Sequence, residues 1–379
     1  MHLVRHGFRV ISFILALGFL FGSPGRAQTR PPADSPYRRG AFNAITDVPG
    51  VLVGNFQTTE RTYRGTTVII PSETGGICAL SVRGSNPVTL GDSTFAPINT
   101  GEECDAIVLS GGSFFGMATV SGVADYLYER GRGVRTRGGI VPIIPAAVIF
   151  DLPVGDSSVH PKPDWGYKAA QVAKGGAVAQ GNVGAGTGAT IGKSPGGVRL
   201  KGGLGTASAV LPGGAIVGVL VVVNALGDVV NPSTGEFYAF AGGFDRVPYR
   251  EEYAPPHPGG DSNAPKPGEN TTLVVVATNA QLTKTQLQKV ADLAHDGLAR
   301  AIRPVHTMLD GDAVIAVSVG WDKRVPIQGA YPGEEVDRVG GAAADLVVLA
   351  ILNAINSAES IPDWVSYGDW KKQGKPVSK

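Results

Sequence analysis

The chain has 379 residues, with 54 glycines, 27 prolines, 43% hydrophobic residues and only 17% charged ones, which is too apolar and too weakly charged for a disordered protein. Its 33 basic and 32 acidic residues leave a formal charge of +1 with no basic block, so neither composition nor patterning supports nucleic-acid binding. The length allows two or three domains or one large layered α/β unit.

Taken from the N-terminus, Arg5 and Arg9 precede an apolar run from Val10 to Gly22, and Ser23 to Ala27 offer small residues for cleavage. The run is shorter than the ~20 residues a bilayer span needs, so residues 1–27 read as a secretory signal peptide. Its removal takes away three arginines and no acidic residue, leaving a mildly acidic chain in a periplasmic or secreted location, with no membrane contact thereafter. From Ala41 to about Arg246, β-branched runs alternate with glycine-rich turns: Gly50–Gly54, Thr67–Ile70, Ala106–Leu109 and Ile216–Val223 read as buried strands. Phe115 to Arg130 carries Ala118, Val123, Ala124 and Leu127 at helical spacing, enters through Ser110-Gly-Gly-Ser113 and stops at Gly131. Pro248 to Glu269 holds six prolines and almost no aliphatic residue, which predicts an exposed connector over 248–269. Beyond it come a strand, Thr271–Ala277, and a helix over Lys284–Ile302 opened by a Thr283/Gln286 capping box. A strand Ala313–Val319 and an apolar helix Gly341–Ala358 complete the pattern. Elements of both kinds on either side of the connector favour a layered α/β sandwich.

Cys78 and Cys104 are the only thiols; an exported chain permits a disulfide, and two buried free thiols fit equally well. The histidines outside the leader are scattered without metal-ligand or catalytic spacing, so no metal and no cofactor is expected. Gly184-x-Gly186-x-x-Ala189 matches a dinucleotide fingerprint only formally, because no clear strand precedes it and no acidic residue follows at the ribose distance.

The sharpest local feature is the junction where a polar loop, Gly268-Glu-Asn-Thr-Thr272, meets the apolar run that follows. A hydroxyl placed there can attack the preceding carbonyl in an N→O acyl shift, and hydrolysis then leaves it as a new N-terminus. The freed α-amine, with an ordinary pKa of about 7.7–8.0, can accept the hydroxyl proton without a histidine. A simple strand-entry turn is the alternative, and Asn270-Thr-Thr272 is also a glycosylation sequon.

Six segments occur in order: Asp47-Val-Pro-Gly-Val-Leu-Val-Gly54, Ser110-Gly-Gly-Ser-Phe-Phe-Gly116, Gly184-Ala-Gly-Thr-Gly188, Val222-Val-Asn224, Asn270-Thr-Thr272 and Arg303-Pro-Val-His-Thr-Met-Leu-Asp-Gly-Asp312. Together, over roughly Ala41 to Ala358, they resemble the L-aminopeptidase/D-esterase (DmpA-type) family, which includes β-peptidyl aminopeptidases and nylon-oligomer hydrolases. The resemblance implies an αββα sandwich like that of the N-terminal nucleophile hydrolases and self-cleavage into a large subunit, 28–270, and a small one, 271–379. It also implies assembly of the cleaved pairs into a homo-oligomer.

By the same resemblance, Thr271 matches the nucleophile and Asn270 the residue cut from it; serine serves in other members and threonine in the nylon-oligomer branch. Asp310 and Asp312 match paired positions beside the nucleophile, where the nylon branch has two aspartates and the peptidase branch serine and glutamate; an Asp-Gly hairpin turn is the alternative. Asn224 matches an oxyanion donor, or else ends a strand, and Lys193 matches a site lysine, or else is an ordinary exposed one. Phe150 stands in a substrate-binding position where several relatives carry a phenolic tyrosine, and Gly111 and Gly112 fall in a substrate-binding loop. The expected function is an exported, self-processing aminopeptidase or amidase acting on small N-terminal aminoacyl amides or esters. A nylon-oligomer-type endo-amidase and a non-catalytic periplasmic binding protein that retains the fold are the alternatives.

Overall fold

A computed structural model describes residues 37–194, 198–235, 269–320, 324–327, 329–331 and 333–373. The leader and all of the expected connector except Glu269 lie outside the described residues.

Nine longer strands and four longer helices carry the architecture. They are β1 (Leu52–Thr58), β2 (Arg64–Ile70), β3 (Gly76–Val82), β4 (Ile107–Ser110), α1 (Ala118–Tyr128), β5 (Ala146–Val148) and α2 (Pro163–Gln171), then β6 (Gly203–Val210), β7 (Ile216–Asn224), β8 (Thr271–Thr278), α3 (Lys284–Ala301), β9 (Ala313–Val319) and α4 (Glu334–Ser357). In one sheet β6, β7, β8, β9 and β3 are neighbours in that order, antiparallel except for the parallel pair β8–β9 that brackets α3. In the other, β1, β2, β4 and β5 are neighbours, with β4–β5 parallel.

Period-two alternation decides which layer each side chain enters. Along β7, Val217, Val219, Val221 and Val223 pack with Leu287, Val290, Ala294 and Leu298 of α3 and with the apolar face of α4. The intervening Leu220 and Val222 join Leu273, Val275, Ile315 and Val317 against Ile69, Ile107, Leu109 and Ala147 of the second sheet. Val68, Ile70, Ala106 and Val108 then face Val123 and Leu127 of α1 and Ala169 and Ala170 of α2. The order is therefore helix, sheet, sheet, helix: the αββα sandwich that was expected.

The capping box of α3 is present in full, with Gln286 N–H donating to Thr283 Oγ1 at 3.3 Å and Thr283 N–H to Gln286 Oε1 at 2.9 Å. Expectation and structure part at the starts of two helices. Phe115 lies in a short 3-10 segment, Ser113–Met117, before α1, because Gly112 turns the chain through a left-handed φ of 85°. The last helix begins at Glu334, seven residues before the expected Gly341, since its first two turns are polar and glycine-containing. Cys78 and Cys104 are joined in a disulfide that closes a 26-residue separation and ties β3 to the edge segment Glu103–Cys104, which excludes the free-thiol alternative. Closing a loop of that length stabilises by about 3–4 kcal/mol in the chain-entropy picture.

Candidate active site

Thr271 is the first residue of β8 and is buried, although the residues just upstream are polar. The β8 register pairs it directly with Asn224 at the end of β7, so two strand ends bring hydroxyl and amide together. The Thr271 hydroxyl donates to the carbonyl oxygen of Asn270 at 2.5 Å, and Gly311 N–H donates to that same oxygen at 2.7 Å. A side-chain hydroxyl and a backbone N–H thus converge on one peptide carbonyl. Gly311 has no room for a side chain: a Cβ there would stand 2.7 Å from Thr271 Oγ1 and 2.7 Å from the carbonyl oxygen of Asn86.

The two carboxylates flank Gly311. Asp310 forms an isolated parallel bridge with Asn270, and its Oδ2 accepts the N–H of Thr307 at 2.9 Å and the Thr307 hydroxyl at 2.6 Å. Asp312 Oδ1 accepts Thr272 N–H at 2.6 Å, and its Oδ2 accepts the backbone N–H and Nδ1–H of His306 at 3.1 and 2.8 Å. Burial, followed by the charge of Asp312, holds the Asp310 carboxyl above the usual carboxylate range. The segment is no Asp-Gly hairpin, since Ile302–Arg303 upstream pairs with Asp228–Val229 while β9 downstream runs in the main sheet.

Asn224 is held from three sides. Its Oδ1 accepts from Thr190 N–H at 3.0 Å, from the Thr190 hydroxyl at 3.3 Å and from Lys193 Nζ at 3.1 Å, while Nδ2 donates to the carbonyl of Phe150 at 3.1 Å. The Thr190 backbone N–H can only donate, so the amide orientation is settled and the second Nδ2 proton has no partner among the described residues. Lys193 also donates to the Asn224 carbonyl at 3.1 Å; burial lowers its pKa to about 7, with Asp310, Glu269 and Asp151 opposing that shift. Lys193 is thus not an ordinary exposed lysine.

Phe150 reaches this group through its backbone carbonyl, and its ring is half-buried. Gly111 and Gly112 close around Asp151 rather than against Thr271 in the described contacts: Gly112 N–H donates to Asp151 Oδ1 at 2.7 Å, and a Cβ on Gly111 would stand 2.2 Å from Asp151 Oδ2. Asp151 also pairs with the fully buried Arg64 at 3.3 Å, and the buried Lys201 caps the carbonyls of Gly186, Ala189 and Gly202 nearby. These charges were silent in the sequence, where nothing distinguishes them from surface residues. His306 is a correction: its spacing suggested no role, yet it holds Asp312.

The model of peptidase family S58 matches residues 43–364. A protein of Mycobacterium tuberculosis named as an uncharacterised aminopeptidase is 41% identical over 348 residues, covering 86% of this chain and 98% of its own. A 6-aminohexanoate-oligomer endohydrolase of Kocuria sp. is 29% identical over 345 residues, covering 88% of this chain and 92% of its own. Among solved structures, a β-aminopeptidase from Burkholderia sp. superposes with a TM-score of 0.64 at 25% identity, covering 85% of this chain and 88% of that one. The L-aminopeptidase D-Ala-esterase/amidase of Ochrobactrum anthropi, described as a variant of the Ntn hydrolase fold, superposes with a TM-score of 0.65 at 24% identity, covering 89% and 96%, and shares the fold.

Proposed function

Because this chain belongs to peptidase family S58 and is a hydrolase of peptide or amide bonds, we propose that it frees its own nucleophile by cutting between Asn270 and Thr271 and then hydrolyses small N-terminal aminoacyl amides. The observation that carries the reading is the convergence of Thr271 Oγ1 and Gly311 N–H on the Asn270 carbonyl. Thr271 Oγ1 attacks the Asn270 carbonyl carbon while Gly311 N–H supports the charge building on the oxygen. The C–N bond breaks as the ester forms and the Thr271 nitrogen takes up a proton. Water then hydrolyses the ester, leaving Asn270 as a carboxylate and Thr271 with a free hydroxyl and α-amine.

In the second reaction that amine accepts the hydroxyl proton as Oγ1 attacks a substrate carbonyl and passes it to the departing amine, and water then hydrolyses the acyl ester on Oγ1, releasing the acid and restoring the hydroxyl. The Gly311 N–H released from Asn270 and the uncommitted Asn224 N–H are the donors on hand for the oxyanion. Lys193 holds the Asn224 amide in place, and Asp310 and Asp312 stand beside the new ammonium.

Export belongs to the same proposal, supported by the apolar leader and by the disulfide, which an oxidising compartment sustains. So does assembly of the cleaved pairs into a homo-oligomer, to be read from the molar mass in solution. The named activity of the Kocuria relative favours a second reading, an endo-amidase acting on oligoamides. A panel of L-, D- and β-aminoacyl anilides with a 6-aminohexanoate oligomer separates the two. The proposal expects release of the aniline by the cleaved protein and none by Thr271→Ala; a Thr271→Ala chain as active as the parent refutes it. A parent chain that binds these amides without turning any over would favour the non-catalytic alternative.

A further inference from the structure

His306 and Thr307 are consecutive residues that each grip one of the two carboxylates: Thr307 holds Asp310 through its N–H and hydroxyl, and His306 holds Asp312 through its N–H and Nδ1–H. The left-handed φ of 56° at His306 turns its backbone N–H and its ring onto the same oxygen, Oδ2. The other oxygen of Asp312 accepts Thr272 N–H at 2.6 Å, from the residue directly after the nucleophile. Asp312 is thus fastened to β8 on one side and to the His306 turn on the other. Because the Nδ1 partner is a carboxylate oxygen, Nδ1 carries the proton.

Among the described residues the rest of the imidazole makes no hydrogen bond that could replace that one. His306 Nε2 is buried without a hydrogen-bond partner among the described residues, and the ring stands edge-on to His295, with centroids 4.8 Å apart. His295 in turn directs Nε2 to the carbonyl oxygen of Ser81 at 3.2 Å. The packing of His295 therefore sets the plane of the His306 ring, while Nδ1 makes its one side-chain hydrogen bond among the described residues.

We propose that His306 is a positioning residue that fixes the Asp312 carboxyl group as an oriented acceptor beside the α-amine of Thr271. This rests on Thr271 as nucleophile and assigns to a histidine outside the reacting atoms the orientation of the carboxylate that faces the base. Without the Nδ1 donor, Oδ2 keeps only one backbone N–H and the carboxylate can rotate about its remaining bonds. The ammonium formed in each turnover then lacks a fixed counter-charge. His306 does not touch the substrate in this assignment, so the loss falls on kcat.

The test uses cleaved full-length protein and an aminoacyl anilide. His306→Asn keeps an N–H on the atom topologically equivalent to Nδ1 and tolerates a left-handed backbone; His306→Gln carries its amide one carbon too far, and His306→Leu has no donor. The expected result is a kcat lowered about 10–100-fold in the Leu and Gln variants with KM within about twofold, and recovery to within about threefold in Asn. A parental kcat in His306→Leu overturns the proposal. Equal losses in Asn and Gln variants, with unchanged thermal unfolding, overturn it as well, since a lost donor would separate them. If the Leu variant does not fold, the Asn–Gln contrast decides. Thr271→Ala is run alongside: an inactive Thr271→Ala with a normal His306→Leu refutes only the positioning role, whereas an active Thr271→Ala refutes the nucleophile.

Discussion

Gly311 separates two aspartates, donates its N–H to the Asn270 carbonyl and lies so close to the Thr271 hydroxyl and the Asn86 carbonyl that a Cβ would stand 2.7 Å from each. Gly311→Ala should stop the appearance of a chain beginning at Thr271 while the protein still folds, read by denaturing gel and circular dichroism; normal processing would contradict this. A second expectation follows from charge. The Thr271 amine must be unprotonated to act as base, so activity rises with pH through its pKa, whereas Lys193, pushed down to about 7, loses the proton it donates to Asn224 as pH rises. The rate of the cleaved enzyme should therefore fall on the alkaline side. Lys193→Arg, which does not titrate there, should lose that alkaline limb in a kcat/KM profile, and an unchanged limb would clear Lys193 of the role. At this scale the ordered motifs made Thr271, Asn224, Lys193, Asp310 and Asp312 legible as a group, and the structure brings them together. His306 was not legible, because its contact with Asp312 depends on a left-handed turn that residue spacing does not reveal.

Elements were legible where apolar residues run unbroken. Ala313–Val319 forms the strand expected, and Thr271–Thr278 exceeds its expected length by one residue, because β-branched runs buried on both faces have few other conformations available. Gly203–Val210 was invisible: Gly, Thr, Ala and Ser dominate it, and it becomes a strand only by pairing along its whole length with Ile216–Asn224. Helix Pro163–Gln171 carries its signal in the proline of its first turn, but its apolar face is only a few residues wide. The two-residue strand Asp228–Val229 holds a test of its own. Asp228 is buried, neither carboxylate oxygen has a partner among the described residues, and burial raises its pKa to about 7. A carboxyl whose pKa is raised on folding favours the folded state below its unfolded value, near 4, and loses that contribution as pH rises through about 7. Asp228→Asn should therefore melt a few degrees above the parent at pH 8, with the gap closing toward pH 4. A lower melting temperature at pH 8 would show that the ionised carboxylate is stabilising.

Across the molecule, the proposed cleavage point falls between strands of one sheet. Ile216–Asn224 precedes it, Thr271–Thr278 follows it, and the two pair over eight residues from Val217 to Asn224. Gly76–Val82 in turn pairs with Ala313–Val319 on the far side. Cutting the chain after Asn270 leaves this sheet and both of its packed faces intact, so the two pieces should stay together until denatured. The layered class was legible from strands and helices alternating on both sides of the proline-rich stretch. The order of the strands was not, because pairings such as β3 with β9 join residues more than 200 positions apart. The most direct measurement is the N-terminal sequence and intact mass of the purified active protein. Two chains are expected, the smaller starting with Thr271-Thr272-Leu273, whereas full activity from molecules whose Asn270–Thr271 bond is still joined would contradict this.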